Sequence, residues 1–160
     1  GFYVSALTMK ELISLYNARA AIESEAAYLC AETANYDVVA GLENYAAEYK
    51  RAFQRRDSKV LKEVEMPFHR LIIDHCGNKY LQSCYENLLP PLTRYQNYYT
   101  EFVDTDTENP WSAQIPHQHG AITSAIKMHM PELARQLMNE HIRTGISQAA
   151  FSYDNAIPIR

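Results

Sequence analysis

Glu65-Met66-Pro67-Phe68-His69 sets a carboxylate and an imidazole four residues apart, inside a segment whose apolar residues recur at helical spacing. Four residues is about one turn, so both side chains can lean over one face and reach a single metal ion. Further along that face from His69 come Ile72, Ile73 and Cys76, residues that a helix buries. The pair therefore points inward. Two ionisable groups aimed at a core need partners, because an unpaired buried charge is strongly destabilising.

Outward from this stretch the chain reads as helix on both sides. Thr8-Met9-Lys10-Glu11 is a capping box that opens a long helix to about Thr33. Its inner stripe, Leu12, Leu15, Tyr16, Arg19, Ile22, Glu23 and Ala26, carries an arginine and a glutamate within an apolar face. Those two are one turn apart and either pair with each other or serve a site. Asp37 is expected to cap a second helix to about Gln54, with Leu42, Tyr45, Ala46 and Tyr49 inward. Asp57 or Ser58 caps the third, which carries the Glu65 to His69 stretch and stops at Gly77, a residue suited to the left-handed position after a helix. Pro67 lacks an amide hydrogen and its ring clashes with the Glu63 carbonyl, so this helix is expected to kink or to be two helices meeting at Met66.

A fourth helix from Asn78 or Lys79 runs into Pro90-Pro91, which should bend or end it before a Tyr-rich helix through Arg94, Tyr95, Tyr98 and Tyr99 to about Val103. Asp104 to Trp111 reads as a polar loop turning at Asn109-Pro110. His117 to Met130 and Pro131 to about Tyr153 read as two more helices, the second opened by a proline at the position that tolerates it. Apart from Phe2-Tyr3-Val4, a short strand with nothing to pair with, no segment has strand patterning, and no internal repeat is found. The expected fold is all-α, an antiparallel helical bundle of about six or seven helices over residues 8–155, with residues 156–160 as tail.

At 160 residues and 47% apolar content the chain suits one buried core. A net charge of -4 with scattered basic residues gives no electrostatic footprint for nucleic acid. No apolar run approaches the roughly 20 residues that span a bilayer, so a soluble, cytoplasmic chain with no membrane partner is expected. Cys30, Cys76 and Cys84 lack metal-type spacing and fall in helical patterns, which argues against disulfides and thiolate sites.

Helical phase sorts the six histidines. His119 shares a face with Ile122 and Ile126, and His141 with Ala134, Leu137, Met138 and Gly145, whereas His75, His117 and His129 fall outside the inner stripes. A lone inward histidine is more often a core residue bonded to a carbonyl; three on three helices, with an inward glutamate, favour a shared partner. Glu65, His69, His119 and His141 form a nitrogen and oxygen set suited to a divalent metal ion: zinc, nickel, manganese or iron, with zinc and nickel favoured. A tetrahedral ion would be closed by these four, while a six-coordinate one would keep two positions for water or a ligand oxygen. Beside such an ion the Arg19 fork would complete a receptor for a small carboxylate, such as a hydroxy acid or sugar acid, with Arg94, Tyr95 and Asn78 as further ligand-binding candidates.

In order, Leu15 through Arg19 to Glu23, Glu65 to Phe68-His69, Gly77-Asn78 with Leu81, His119 to Ile122 and Ala125-Ile126, and Ala134 to His141 carry a resemblance that spans nearly the whole chain. The chain resembles the C-terminal effector-binding domain of GntR-type bacterial transcription regulators, of the FadR C-terminal domain type in its metal-binding branch. The resemblance implies a helical bundle whose pocket holds a divalent metal through an Asp, the His four residues on and two later His, positions that correspond to Glu65, His69, His119 and His141. Glu65 departs from the usual Asp, extending the carboxylate by about 1.5 Å, and Pro67 is a second departure. The resemblance further implies that residues 1–7 are the remnant of a wing or linker from a winged helix-turn-helix. DNA would then be bound only through that missing domain, in a homodimer.

The expected function is effector sensing without catalysis, a bound acid shifting the DNA-binding domains of a dimer. The alternative is a metalloenzyme of hydrolase or oxygenase type. It lacks a separate acid-base candidate, since Glu65 can act as a base only if it is not a ligand. A purely structural bundle, its histidines satisfying one another, is the third reading.

Overall fold

The computed structural model of the protein describes residues 8–99 and 109–156. Six helices account for almost all of them: α1 (Met9–Thr33), α2 (Tyr36–Arg55), α3 (Ser58–Asp74), α4 (Lys79–Tyr99), α5 (Ile115–Lys127) and α6 (Pro131–Ala156), with a 3₁₀ turn (Ser112–Gln114) leading into α5. No strand occurs among the described residues, and no described helix is long and apolar enough to cross a membrane. The expected strand at Phe2-Tyr3-Val4, the loop from Asp104 to Glu108, the side chains of Tyr98 and Tyr99 and the tail beyond Ala156 lie outside the described residues.

The Thr8 capping box forms as read. Its hydroxyl oxygen accepts from the Glu11 amide at 3.2 Å, and the Glu11 carboxylate accepts from the Thr8 amide at 2.8 Å. The second helix begins two residues earlier than expected: Asn35, not Asp37, is the cap, accepting from the Val38 amide at 3.1 Å, and Asp37 sits in the first turn, where its charge suits the helix dipole. Asp57 caps α3. That helix ends at Asp74, and Gly77 takes the positive φ of 69° in the turn beyond it.

The prolines do not divide the helices. α3 runs unbroken through Pro67, and α4 through Pro90 and Pro91, so the separate Tyr-rich helix is the second half of α4. The carbonyls these prolines deprive of a donor belong to Glu63, Glu86 and Asn87, all exposed residues, so water can satisfy them.

Helix α1 is the hub, packing along α6 and touching α3, α4 and α5, while α2 covers α3 and α5. The pairs α2/α3 and α5/α6 are hairpins closed by Arg56-Asp57 and by Met128-His129-Met130, turns short enough to make the paired helices antiparallel neighbours. At the α1/α6 seam, a Cβ on Gly145 would come within 2.6 Å of Tyr16 Cε1, so the close approach there depends on glycine. One apolar core unites Leu12, Leu15 and Tyr16 of α1 with Phe68 and Ile72 of α3, Tyr85 and Leu92 of α4, Ile122 and Ile126 of α5, and Met138 and Ile142 of α6. Cys30 and Cys76 are buried in it as free thiols, whereas Cys84 is exposed.

Candidate metal centre

Polar side chains from α1, α3, α5 and α6 meet inside this core. On α3, Phe68, His69, Ile72 and Ile73 are buried, so the helix turns the Glu65/His69 face inward despite Pro67. His119 and His141 arrive from α5 and α6 and are 0% and 3% exposed. Glu65, His69, His119 and His141 each offer one ligand atom within 4.8 Å of all the others, an arrangement that could hold a metal ion. His69 Nε2 lies 3.1 Å from Glu65 Oε1 and 3.2 Å from His141 Nε2, and His119 Nε2 lies 3.3 Å from Glu65 Oε2. The last two atoms are buried and make no hydrogen bond among the described residues. Two buried lone pairs that face each other with no donor between them, Glu65 Oε2 and His119 Nε2, are what a cation would satisfy, so the residues present fit a metal ion.

Each of two imidazoles is held from behind. Glu23 on α1 shares its carboxylate: Oε1 accepts from Arg19 Nε at 2.6 Å, and Oε2 makes an ion-pair contact with His69 Nδ1 at 2.5 Å that is not aligned as a hydrogen bond. The choice left open for Arg19 and Glu23 is thus resolved toward pairing, but through Nε alone. Arg19 Nη2 is buried and has no hydrogen-bond partner among the described residues. On the other side, Thr144 donates to the Glu140 carbonyl and therefore accepts from Gln118 Nε2 at 2.9 Å. That fixes the Gln118 amide, leaving its oxygen to accept from His141 Nδ1 at 3.1 Å. Both rings consequently keep a proton on Nδ1 and turn Nε2 toward the cluster, where a metal ion would take the place of any second proton on His69. The His119 ring is instead caught between Tyr49 and Phe68, each with its centroid 4.5 Å away.

Charges within the site balance. Burial opposes ionisation of Glu23 and Glu65, but Arg19, then His69, hold Glu23 down to about 2, and the three imidazoles hold Glu65 well below the usual carboxylate range. Burial likewise works against a charged His69, yet Glu23 and then Glu65 push it up to about 9. Burial lowers His119 to about 4, and burial with the neighbouring imidazoles takes His141 well below 6.5. Without metal at neutral pH, the site therefore holds two carboxylates, one guanidinium and one imidazolium, with His119 and His141 neutral.

The other expected ligand-binding residues separate. Tyr95 is buried with its ring edge-on to Tyr16 at 5.6 Å, and Tyr16 in turn lies under the Arg19 guanidinium at 4.9 Å. Through Tyr16, Tyr95 thus stands one ring behind Arg19. Arg94 is exposed, its charge acting on Glu11 at the start of α1. Asn78 caps the first turn of α4, its amide oxygen accepting from the Tyr80 and Leu81 amides at 3.0 and 3.2 Å. Tyr85, which sequence reasoning passed over, is fully buried, and its hydroxyl has no hydrogen-bond partner. Burial and the Glu23 charge raise it, so it stays a phenol able to donate. Leu81, Tyr85, Leu88, Leu92 and Tyr95 recur at helical spacing, a stripe visible only once α4 is continued through its prolines.

Residues 14–144 match the FCD domain family. The chain is 25% identical over 145 residues to the uncharacterized HTH-type transcriptional regulator YdhC of Bacillus subtilis (strain 168), a match that covers 88% of this chain and 61% of that protein. It thus spans about three-fifths of the length of this curated relative. Among solved structures it is similar to Streptococcus agalactiae GntR, with a TM-score of 0.66 and 21% identity over 84% of this chain and 57% of that one, a likeness of fold.

Proposed function

Because the chain belongs to the FCD domain family, we propose that it is the effector-sensing domain of a GntR-type transcription regulator. In this reading it binds a divalent metal, zinc or nickel before manganese or iron, through Glu65, His69, His119 and His141, and a small carboxylate beside it. DNA is contacted by a winged helix-turn-helix outside this chain, in a cytoplasmic homodimer, and no reaction is catalysed. The observation that carries the reading is the convergence of four ligand atoms, one each from Glu65, His69, His119 and His141, within 4.8 Å of one another. A divalent ion that displaces the His69 proton leaves the buried set with one positive charge in excess, which an organic monoanion would neutralise.

Donors for that anion stand ready. Arg19 Nη2 and the Tyr85 hydroxyl are buried and without hydrogen-bond partners among the described residues, and Tyr85 feels the charges of Glu23, Arg19 and Glu65. One carboxylate oxygen can enter the metal's coordination sphere while Arg19 Nη2 and the phenol hold the other. The metalloenzyme alternative gains nothing from this geometry, because both carboxylates are engaged, Glu65 with the histidines and Glu23 with Arg19 and His69.

A thermal-shift screen of organic acids on zinc-loaded and metal-free protein tests the proposal. An acid present at 100 times its dissociation constant should stabilise the zinc-loaded protein by about 2.7 kcal/mol, and the metal-free protein much less. Arg19→Lys keeps the charge and loses the fork, so its shift should shrink. Protein purified without chelator that carries no metal and refuses added zinc and nickel would end the metal reading. Hits confined to neutral or cationic compounds would end the organic-acid reading.

A further inference from the structure

We propose that Glu23 is a positioning residue of the metal centre: held by Arg19 on one oxygen, it fixes the His69 ring with the other, so that Nε2 faces Glu65, His119 and His141. This rests on the metal-binding reading above and assigns to α1 a part in a site whose candidate ligands all lie on α3, α5 and α6.

Glu23 is 1% exposed and lies forty-six positions before His69 in the chain, so no local spacing forces the contact. A pair formed only to neutralise Arg19 would need one oxygen. Here the second oxygen is spent on His69 Nδ1 at 2.5 Å, while the first stays 2.6 Å from Arg19 Nε. Two lone pairs would repel at this separation and a carboxylate has no proton to give, so Nδ1 must carry the hydrogen; the proton a metal ion displaces is then the one on Nε2, the atom 3.1 Å from Glu65 and 3.2 Å from His141. Arg19 is the other half of the device. It pins the carboxylate so that the ring cannot turn its Nδ1 into the site, and its Nη2 has no acceptor among the described residues. The arginine proposed to take the effector is therefore tied through one carboxylate to a ligand of the metal, so each site should sense the occupancy of the other.

The test is zinc affinity, measured by competition with a chromophoric chelator on wild type and Glu23→Gln. Glutamine keeps the shape but turns an N–H toward Arg19 or His69 and removes a negative charge from beside the ion. Affinity should fall about 10- to 100-fold, the usual range for a partner behind a ligating histidine. If the variant unfolds, long-range proton–nitrogen correlation spectra of zinc-loaded wild type carry the test: His69 should be metal-bound at Nε2 and protonated at Nδ1, and the opposite assignment overturns the proposal. Wild type that binds zinc while Glu23→Gln binds it equally tightly also overturns it and leaves the metal site standing. Wild type that binds no zinc at all brings down the metal reading and this inference together.

Discussion

His69 and His141 stack 5.1 Å apart and both present Nε2 to the same point, yet what stands behind them differs in kind. Behind His69 is an ionic chain, Arg19 to Glu23, buried on α1. Behind His141 is a neutral one, Thr144 to Gln118, half-buried between α5 and α6. The ionic chain makes His69 the stronger base and leaves it protonated when no metal is present. The neutral chain sets the same tautomer without adding charge, and His141 stays an uncharged imidazole. One ligand must therefore be exchanged for a proton, and the other is ready as it stands. A site with two ionic chains would bury more charge than it could balance, and one with two neutral chains would leave the Glu65 carboxylate without a cation in the absence of metal.

The largest effects should come from removing the rings themselves. His69→Ala and His141→Ala should each strip most of the metal, read by elemental analysis of purified protein. Their consequences for the metal-free fold should diverge. Loss of His69 takes the imidazolium from between the buried Glu23 and the half-buried Glu65 carboxylates, a cost of up to about 3–5 kcal/mol for breaking a buried pair, whereas loss of His141 removes a neutral ring and costs mainly its cavity. Equal drops in the denaturation midpoints of the two metal-free variants would break the distinction between the ionic and the neutral side.

The dependence on pH sharpens the comparison from another direction. His69 is raised from 6.5 to about 9, so in metal-free protein its contribution is complete below 6.5 and is lost as pH climbs through 9. His119 and His141 are depressed, so theirs is present above 6.5 and is lost as pH falls through 6.5, toward 4 for His119. Glu23 and Glu65, also depressed, add a further loss below 4.5. Metal-free stability, followed by urea denaturation, should fall on both flanks, and zinc should abolish the alkaline flank because the ion replaces the His69 proton. Zinc occupancy itself should decline as pH drops through the histidine range. An alkaline flank that persists unchanged in zinc-loaded protein would mean that the ion does not replace that proton.

How far the sequence discloses this depends on the distance over which each feature is decided. Helical phase was enough to pick out Glu65, His69, His119 and His141 and to place Arg19 and Glu23 inward, because burial of a helix face is a periodic property. The cap of α2 was not legible: Asn35 and Asp37 are both good capping residues, and which one reaches a free amide depends on the path of a two-residue turn. The helix ends expected at Pro67 and at Pro90-Pro91 do not occur, since propensity says nothing of whether the deprived carbonyls face water. That expectation hid Tyr85. Asn78 and Arg94 were drawn toward the ligand by their polarity, although a cap and an exposed ion-pairing position are the commoner uses of such residues. Gln118, next to His119 in sequence, points about 100° away and looks solvated by phase; its role exists only because α6 brings His141 and Thr144 against it.

The smallest effects should come from the outer links of the neutral chain, and they test whether tautomer control alone matters. Gln118→Leu deletes the acceptor for His141 Nδ1 but changes no charge, so zinc affinity should fall by about tenfold, the low end for a partner behind a ligand, and by less than in Glu23→Gln. Thr144→Val goes one step further out. It preserves the shape, removes the hydroxyl that receives Gln118 Nε2, and so frees the Gln118 amide to rotate and offer its nitrogen to His141. Nitrogen would then face nitrogen unless the ring moved its proton to Nε2, the atom needed for metal. Because the amide can still adopt its original orientation, the loss should stay below about tenfold. The metal-free protein should keep its alkaline flank, which belongs to His69. A Thr144→Val variant that loses as much zinc affinity as Gln118→Leu would show that Thr144 alone dictates the amide; one that loses more than Glu23→Gln would reverse the ranking of the ionic and neutral chains.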